Sequence, residues 1–377
     1  MWGRTIRVTR LAGFDIKVDA SWLLIASLII WSLSTGYFPD RVPAASSAVL
    51  LLISVAAMLG LFASLIVHEL AHSIVARHHG LKIRGITLFL FGGVAELDAE
   101  PVDATVELRV AIVGPVASLL LAALFGSALA LALARGGGAF PGLMAVLGYL
   151  ATVNLALALF NMIPAFPLDG GRVFRALLWR SSGDPVKATQ RAVSVSAIFA
   201  WGLIGLGVVA MFGAGPVAGL WPILVGLFLL AIGRASVRHV EVRHLTEGRV
   251  VADLMTRSPV TARPDQSLAD VVDHVFLSPG VSFAPVVEKG VLLGFVDLRM
   301  VRRIDREHWA ATKVEDVIES VSDDYAVAPD LPIQDLIERM ARTGQRKFLV
   351  IERDRLLGVI TLSDVSAYLD VSRQIAA

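Results

Sequence analysis

Two histidines four residues apart, with a glutamate beside the first, are the residues best placed to do chemistry: Ser64-Leu-Ile-Val-His68-Glu69-Leu-Ala-His72-Ser-Ile-Val-Ala-Arg77. On a helix, positions i and i+4 share one face, so both imidazoles can hold one zinc ion while the neighbouring carboxylate takes a proton from water. Random placement of this chain's histidines and glutamates would produce H-E-x-x-H only about 0.005 times. The bland alternative is a pair of interfacial histidines with Glu69 capping or bonded to an arginine. It is disfavoured because ionisable groups at the edge of an apolar run are costly without a function. Catalytic zinc takes three protein ligands and keeps one position open, and a chain with no cysteine must draw the third from His, Asp or Glu. Asp19, Glu107 and Asp169 lie near the inward ends of other apolar runs. Lys17 and Arg109 are ready partners for Asp19 and Glu107. Asp169 closes Asn161-Met-Ile-Pro164-Ala-Phe-Pro167-Leu-Asp169-Gly170-Gly171, where prolines and glycines break the helix and leave backbone that needs a protein-lined cavity. Its alternative role is to cap a short helix from Arg172 to Arg180.

The elements that must position these groups are membrane helices. The 377 residues are 55% hydrophobic and 18% charged, against about 25% charged in an average soluble domain, and mean hydropathy is +0.69. Residues 1–245 carry 18 Lys/Arg and 12 Asp/Glu, net +6, while residues 246–377 carry 16 and 21, net −5. Neither half has the balance of a nucleic-acid binder. Charge-free runs cover Ala20–Pro39, Val42–His68, Val110–Ala134, Gly136–Leu168 and Ala192–Gly233, each at or above the roughly 20 residues that cross a bilayer. The turn signal Gly213-Ala214-Gly215-Pro216 divides the last run, giving six spans. Basic residues gather before span one and after spans two, four and six, whereas the opposite loops offer Arg41 and Arg135. The positive-inside rule then sets both termini in the cytoplasm of a multi-pass plasma-membrane protein, and span one lacks the cleavage pattern of a signal peptide. His68 lies about 35 Å along span two, near its inward end, and span four also ends inward at Asp169. Between spans two and three, Gly85–Leu97 is apolar but too short to cross. Its composition predicts extended chain turning on Gly92 and Gly93, a re-entrant or interfacial β element, with a loop on the headgroups as the alternative.

His68-Glu69-Leu70-Ala71-His72 and Asn161-x-x-Pro-x-x-Pro-Leu-Asp169-Gly-Gly together resemble the site-2 protease family of intramembrane zinc metalloproteases, over roughly residues 10–240. Gly114-Pro115-Val-Ala-Ser118 is similar to that family's Gly-Pro-x-x-Asn/Ser packing motif. The resemblance implies one Zn2+ per chain held by His68, His72 and Asp169, Glu69 as general base, and Asn161 near the substrate or the oxyanion, with Asn154 competing for that last role. It also implies a substrate: a single-span membrane protein already trimmed by another protease, such as an anti-sigma factor or a tethered regulator. A transmembrane helix hides its carbonyls in its own hydrogen bonds, so the substrate must unwind. The segment holding Gly92 and Gly93 is expected to receive it by strand addition.

The tail repeats itself. Val251-Ala-Asp-Leu-Met255 recurs as Val314-Glu-Asp-Val-Ile318, and Leu293-Gly294-Phe-Val-Asp297 as Leu357-Gly358-Val-Ile-Thr361. Each copy reads strand, helix, strand, strand, helix. The pair resembles tandem cystathionine-beta-synthase (CBS) domains at about 250–308 and 313–372, a family in which an adenine nucleotide often occupies the cleft. The family's Gly-x-[Ile/Val]-[Thr/Ser]-x-x-Asp strand end survives only in the second copy, as Gly358-Val-Ile-Thr361-Leu-Ser-Asp364; the first has Asp297 and Met300 instead. At most one nucleotide site is therefore implied, at Thr361 and Asp364. A structural pair that mediates homodimerisation is the alternative. Arg234–Arg249 reads as the linker.

The expected architecture is thus an α-helical polytopic membrane domain of about six transmembrane helices with a small re-entrant β element (1–245), followed by an α/β soluble tandem CBS module (246–377). The expected activity is intramembrane zinc endopeptidase, modulated by the tail, in a lipid bilayer and with no nucleic acid. A transporter or channel regulated by CBS domains shares the span count and tail, but would carry ionisable groups at mid-bilayer. An inactive binding relative would lack part of the ligand set.

Overall fold

The computed structural model describes residues 5–81, 83–89, 92–97, 101, 103–135, 140–277, 281–353 and 355–376. They form two compact units, Met1–Val240 and Glu241–Ala377.

In the first unit, β1 (Ile6–Leu11) and β2 (Phe14–Val18) form a hairpin, followed by α1 (Ser21–Ser32) with a wider π turn at Leu33–Tyr37, and α2 (Ser47–His78). Then come β3 (Ile83–Phe89), β4 (Gly92–Leu97), α3 (Ala104–Ala134), α4 (Pro141–Asn161), α5 (Asp169–Ser182), α6 (Pro185–Ala214) and α7 (Pro216–Thr246). Ser46 caps α2 at Val49 N, and Asp103 caps α3 at Thr105 N and Val106 N. The Gly215 turn between α6 and α7 sits within the expected Gly213–Pro216 signal. Among the described residues, five helices are long and apolar enough to cross a bilayer: α2, α3, α4, α6 and α7. The sixth expected span is the shorter apolar helix Ser21–Tyr37, about 26 Å at 1.5 Å per residue. Outward-facing side chains such as Leu120 (66% exposed), Ile198 (74%) and Phe212 (89%) suit lipid rather than water.

The sheet order is β1-β2-β3-β4. β2 and β3 are parallel, with Asp15 opposite Gly85 and Val18 opposite Leu88, so the chain leaves the sheet along α1 and returns to it along α2. Period-two alternation points Ile16, Ile86 and Leu88 inward, onto Ala26 of α1 and Met58 and Phe62 of α2. The N-terminal hairpin, in the stretch read above as a basic flank, extends the expected β element into a four-stranded sheet. One expectation is corrected here. Gly92 and Gly93 are not the turn; they open β4, paired with Phe89 and Leu88, and residues 90–91 of the expected β segment lie outside the described residues.

In the second unit, α8 (Val251–Leu254), α9 (Leu268–Val271), β5 (Phe283–Glu288), β6 (Val291–Asp297) and α10 (Leu298–Val301) make the first copy. β7 (Ala326–Val327), α11 (Ile333–Thr343), β8 (Lys347–Glu352), β9 (Arg355–Thr361) and α12 (Leu362–Ala376) make the second. The copies interlock reciprocally. Thr256 exchanges backbone hydrogen bonds with Val359 of β9, and Glu319 does so with Phe295 of β6. Phe283, Phe295, Leu349 and Val359 form the apolar cluster between them. The expected linker is largely helical, because α7 continues to Thr246.

Candidate metal centre

α2 delivers His68 and His72 on one face, and α5 begins at Asp169. His68 Nε2 lies 3.1 Å from Asp169 Oδ2, His72 Nε2 lies 3.3 Å from the same oxygen, and the two Nε2 atoms are 3.2 Å apart. Donors on tetrahedral arms of about 2.0–2.1 Å sit about 3.3–3.4 Å from one another, so the three atoms are spaced as neighbouring corners of a zinc site. All three residues are buried, at 3%, 6% and 8% exposure.

The far side of the His72 ring fixes its tautomer. His72 Nδ1 donates to the Val110 carbonyl at 2.6 Å; a carbonyl only accepts, so in the neutral ring the Nε2 lone pair points at the site. His68 Nδ1 bonds Ser118 Oγ at 2.8 Å. Both partners are on α3, which also brings Gly114 against the rings. A Cβ there would collide with His72 Nε2 and stand 2.7 Å from His68 Nε2, so only glycine leaves room for an ion. The donor set, spacing, tautomer and clearance all fit zinc.

Asp169 does not cap the short helix, as the alternative reading had it. The N-cap of α5 is Leu168, with no side-chain cap bond, while the Asp169 carboxylate turns to the histidines. Glu69 is half-buried and lies under β4: a Cβ on Gly93 would stand 2.6 Å from Glu69 Cγ and 3.2 Å from Oε1. Gly93 therefore meets Glu69, and Gly92 precedes it on the edge strand. Asn161, the last residue of α4, is half-buried and makes no side-chain hydrogen bond among the described residues. Its competitor Asn154 is fully buried and donates to Ser64 Oγ at 3.0 Å and to the Leu150 carbonyl at 2.8 Å, tying α4 to α2 one turn before His68.

One other acid has a different partner from the one expected. Glu107 pairs with Arg175 of α5, whose Nε donates to Oε1 at 2.7 Å; Arg109 instead reaches His79. Asp19 accepts from Ser21 N at 2.9 Å. Sequence reasoning gave Ser118 a packing role and missed its contact with His68; the available signal was a hydroxyl four residues after Gly114, on the same helix face.

In the second unit, Asp364 Oδ2 accepts from Thr361 N at 2.7 Å and Thr361 Oγ1 at 2.8 Å. At the matching place in the first copy, Asp297 accepts from Arg299 N at 2.7 Å and from Lys347 Nζ of the other copy at 2.7 Å. Burial alone would raise the Asp297 carboxyl, but the bonds from Lys347 and Arg299 outweigh it and hold it below the ordinary carboxylate range.

The family model for peptidase family M50 matches residues 56–135 and 129–205, and that for the CBS domain matches 251–307 and 314–371. A Mycobacterium tuberculosis protein whose name places it among zinc metalloproteases, Rip3, is 38% identical over 371 residues, 98% of this chain and 93% of that one. Zinc metalloprotease MJ0392 of Methanocaldococcus jannaschii is 32% identical over 305 residues, 81% of this chain and 82% of that one. The solved site-2 protease from Methanocaldococcus jannaschii aligns over 62% of this chain and 94% of its own length, at 29% identity and a TM-score of 0.41.

Proposed function

The chain belongs to peptidase family M50, and from that premise we propose that it is an intramembrane zinc endopeptidase that cuts the transmembrane segments of membrane-anchored proteins. The observation that carries this reading is the triangle of His68 Nε2, His72 Nε2 and Asp169 Oδ2 at 3.1–3.3 Å, with Glu69 next in sequence to one of its corners. Zinc held there supplies Lewis acidity, polarising a peptide carbonyl and acidifying water. Glu69 accepts the proton from the attacking water and delivers it to the leaving amine. Asn161 stands near the substrate or the oxyanion, where its free amide donates to the carbonyl oxygen as charge develops.

The substrate is a single-span membrane protein already trimmed by another protease, such as an anti-sigma factor or a tethered regulator. β4 is an edge strand of its sheet and its Gly93 lies against Glu69, so an unwound segment added to β4 would pass beside the general base. Cleavage unchanged by Gly92→Pro would remove that part of the reading. Basic flanks support cytoplasmic termini in the plasma membrane. The CBS pair modulates cleavage, through an adenine nucleotide at Thr361 and Asp364 or through homodimerisation. A thermal shift of the full chain by adenosine triphosphate that is lost in Asp364→Asn would favour the nucleotide.

The deciding experiment compares purified wild type with Glu69→Gln on a panel of single-span substrates, measuring zinc in both. Cleavage should vanish while zinc remains; retained cleavage overturns the mechanism.

A further inference from the structure

Glu107 is fully buried in the first turn of α3, and Arg175 is 7% exposed on α5. Both Arg175 Nε, at 2.7 Å, and Nη2 bond one carboxylate oxygen, Glu107 Oε1. The guanidinium also lies 5.2 Å from the ring centre of Phe166, three residues before Asp169, and Phe166 N donates to Ser196 of α6. A buried ion pair is weak grounds for stability, since well-packed apolar residues often do as well or better. The two helices it joins give it another use. α3 supplies the groups behind both histidines, Val110 O and Ser118 Oγ, and Glu107 sits one turn before Val110. α5 carries Asp169.

We propose that the Glu107–Arg175 pair is a clasp that sets the rotation of α5, so that Asp169 meets His68 and His72. The proposal rests on the zinc reading above. Asp169 and Arg175 are six residues apart, so they project about 120° from one another and about 9 Å apart along the axis; anchoring both denies the helix rotation. Without the clasp, a 20° turn about an axis some 5–6 Å from the carboxylate would move it by about 2 Å. Metal sites hold their distances within about 0.2 Å. Glu107 and Arg175 are positioning residues and touch neither metal nor substrate.

The test uses the full chain in detergent, zinc affinity by chelator competition, melting of the zinc-free protein, and kcat and KM on one membrane substrate. In the double variant Glu107→Leu with Arg175→Leu, zinc-free melting should stay near wild type while zinc Kd rises about 10- to 100-fold and kcat falls with KM little changed. Glu107→Asp, which keeps the charge and shortens the arm, should recover part of the affinity. Zinc binding within threefold of wild type in the leucine pair overturns the clasp. If that pair fails to fold, Arg175→Met decides by the same threshold, because it keeps an apolar stem and removes the charge and the donors that hold Glu107. Native protein that binds no zinc, or zinc binding untouched by Asp169→Ala, overturns the metal reading and the clasp with it. Zinc lost in Asp169→Ala but kept in every clasp variant overturns the clasp alone.

Discussion

Replacing Ser118 with alanine removes one oxygen from a fully buried position and leaves His68 Nδ1, now 2.8 Å from Ser118 Oγ, with no partner. An unmade buried hydrogen bond costs about 1–3 kcal/mol. At 1.4 kcal/mol per tenfold, that is roughly a 5- to 150-fold loss if the cost falls on the zinc-bound state, where the ring must stay fixed. It falls there chiefly, because without metal the neutral ring can carry its proton on Nε2 and donate to Asp169 Oδ2, 3.1 Å away, and so needs no acceptor at Nδ1. Experience with groups behind metal-ligating histidines gives about 10- to 100-fold, so the two routes agree. Competition with a chromogenic chelator measures Kd directly. Melting with and without saturating zinc measures it again, since the zinc-dependent stabilisation should shrink by about 1.4 kcal/mol for each tenfold. Ser118→Asn should keep most of the affinity, because its side-chain oxygen still accepts. Kd within threefold of wild type in Ser118→Ala, or an equal loss of melting temperature in zinc-free protein, refutes the argument that Ser118 orients His68.

Two glycine substitutions should fail in opposite ways. Gly114→Ala drives a methyl into both Nε2 atoms and should abolish zinc binding, whereas Gly93→Ala displaces Glu69 alone and should lower kcat at least about tenfold with zinc retained. Equal zinc contents in the two variants would contradict that division. Asp297, held below the ordinary carboxylate range by Lys347 and Arg299 against the effect of burial, contributes stability that is fully present above its unfolded pKa of about 3.9. That contribution is lost as pH falls from there through the lowered folded value. Asp297→Asn should flatten the acid limb of a melting-temperature profile for the second unit's transition. Coincident slopes would count against the pairing with Lys347.

The candidate site was legible because a metal-binding set leaves marks in spacing. The i, i+4 histidines and an acid among prolines and glycines constrain one another through helix geometry and membrane depth. The groups behind them were less visible: Val110 acts through its carbonyl, which any residue carries, and Ser118 looks like any small residue in a packed helix. Glu107 was assigned its sequence neighbour Arg109, although i, i+2 positions do not face each other on a helix; the true partner lies 68 residues on. The β1–β2 hairpin was hidden because its alternation is interrupted by a bulge between Arg7 and Thr9 and by basic residues that the topology argument had already claimed. The tail's repeat period revealed two copies, while their exchange of backbone bonds at Thr256 and Glu319 depends on tertiary closure that local pattern does not record.

The parallel pairing of β2 with β3 also imposes an order on biosynthesis. Asp15 waits for Gly85, and between them two apolar helices are made. At about 5–20 residues per second, roughly 4–14 seconds separate the emergence of the two strands. Through that interval the first hairpin has no neighbour on its inner edge. Assembly of the sheet, and with it the seating of Gly93 over Glu69, therefore comes only after α1 and α2 have been made, so the candidate site stays incomplete until both helices have left the ribosome.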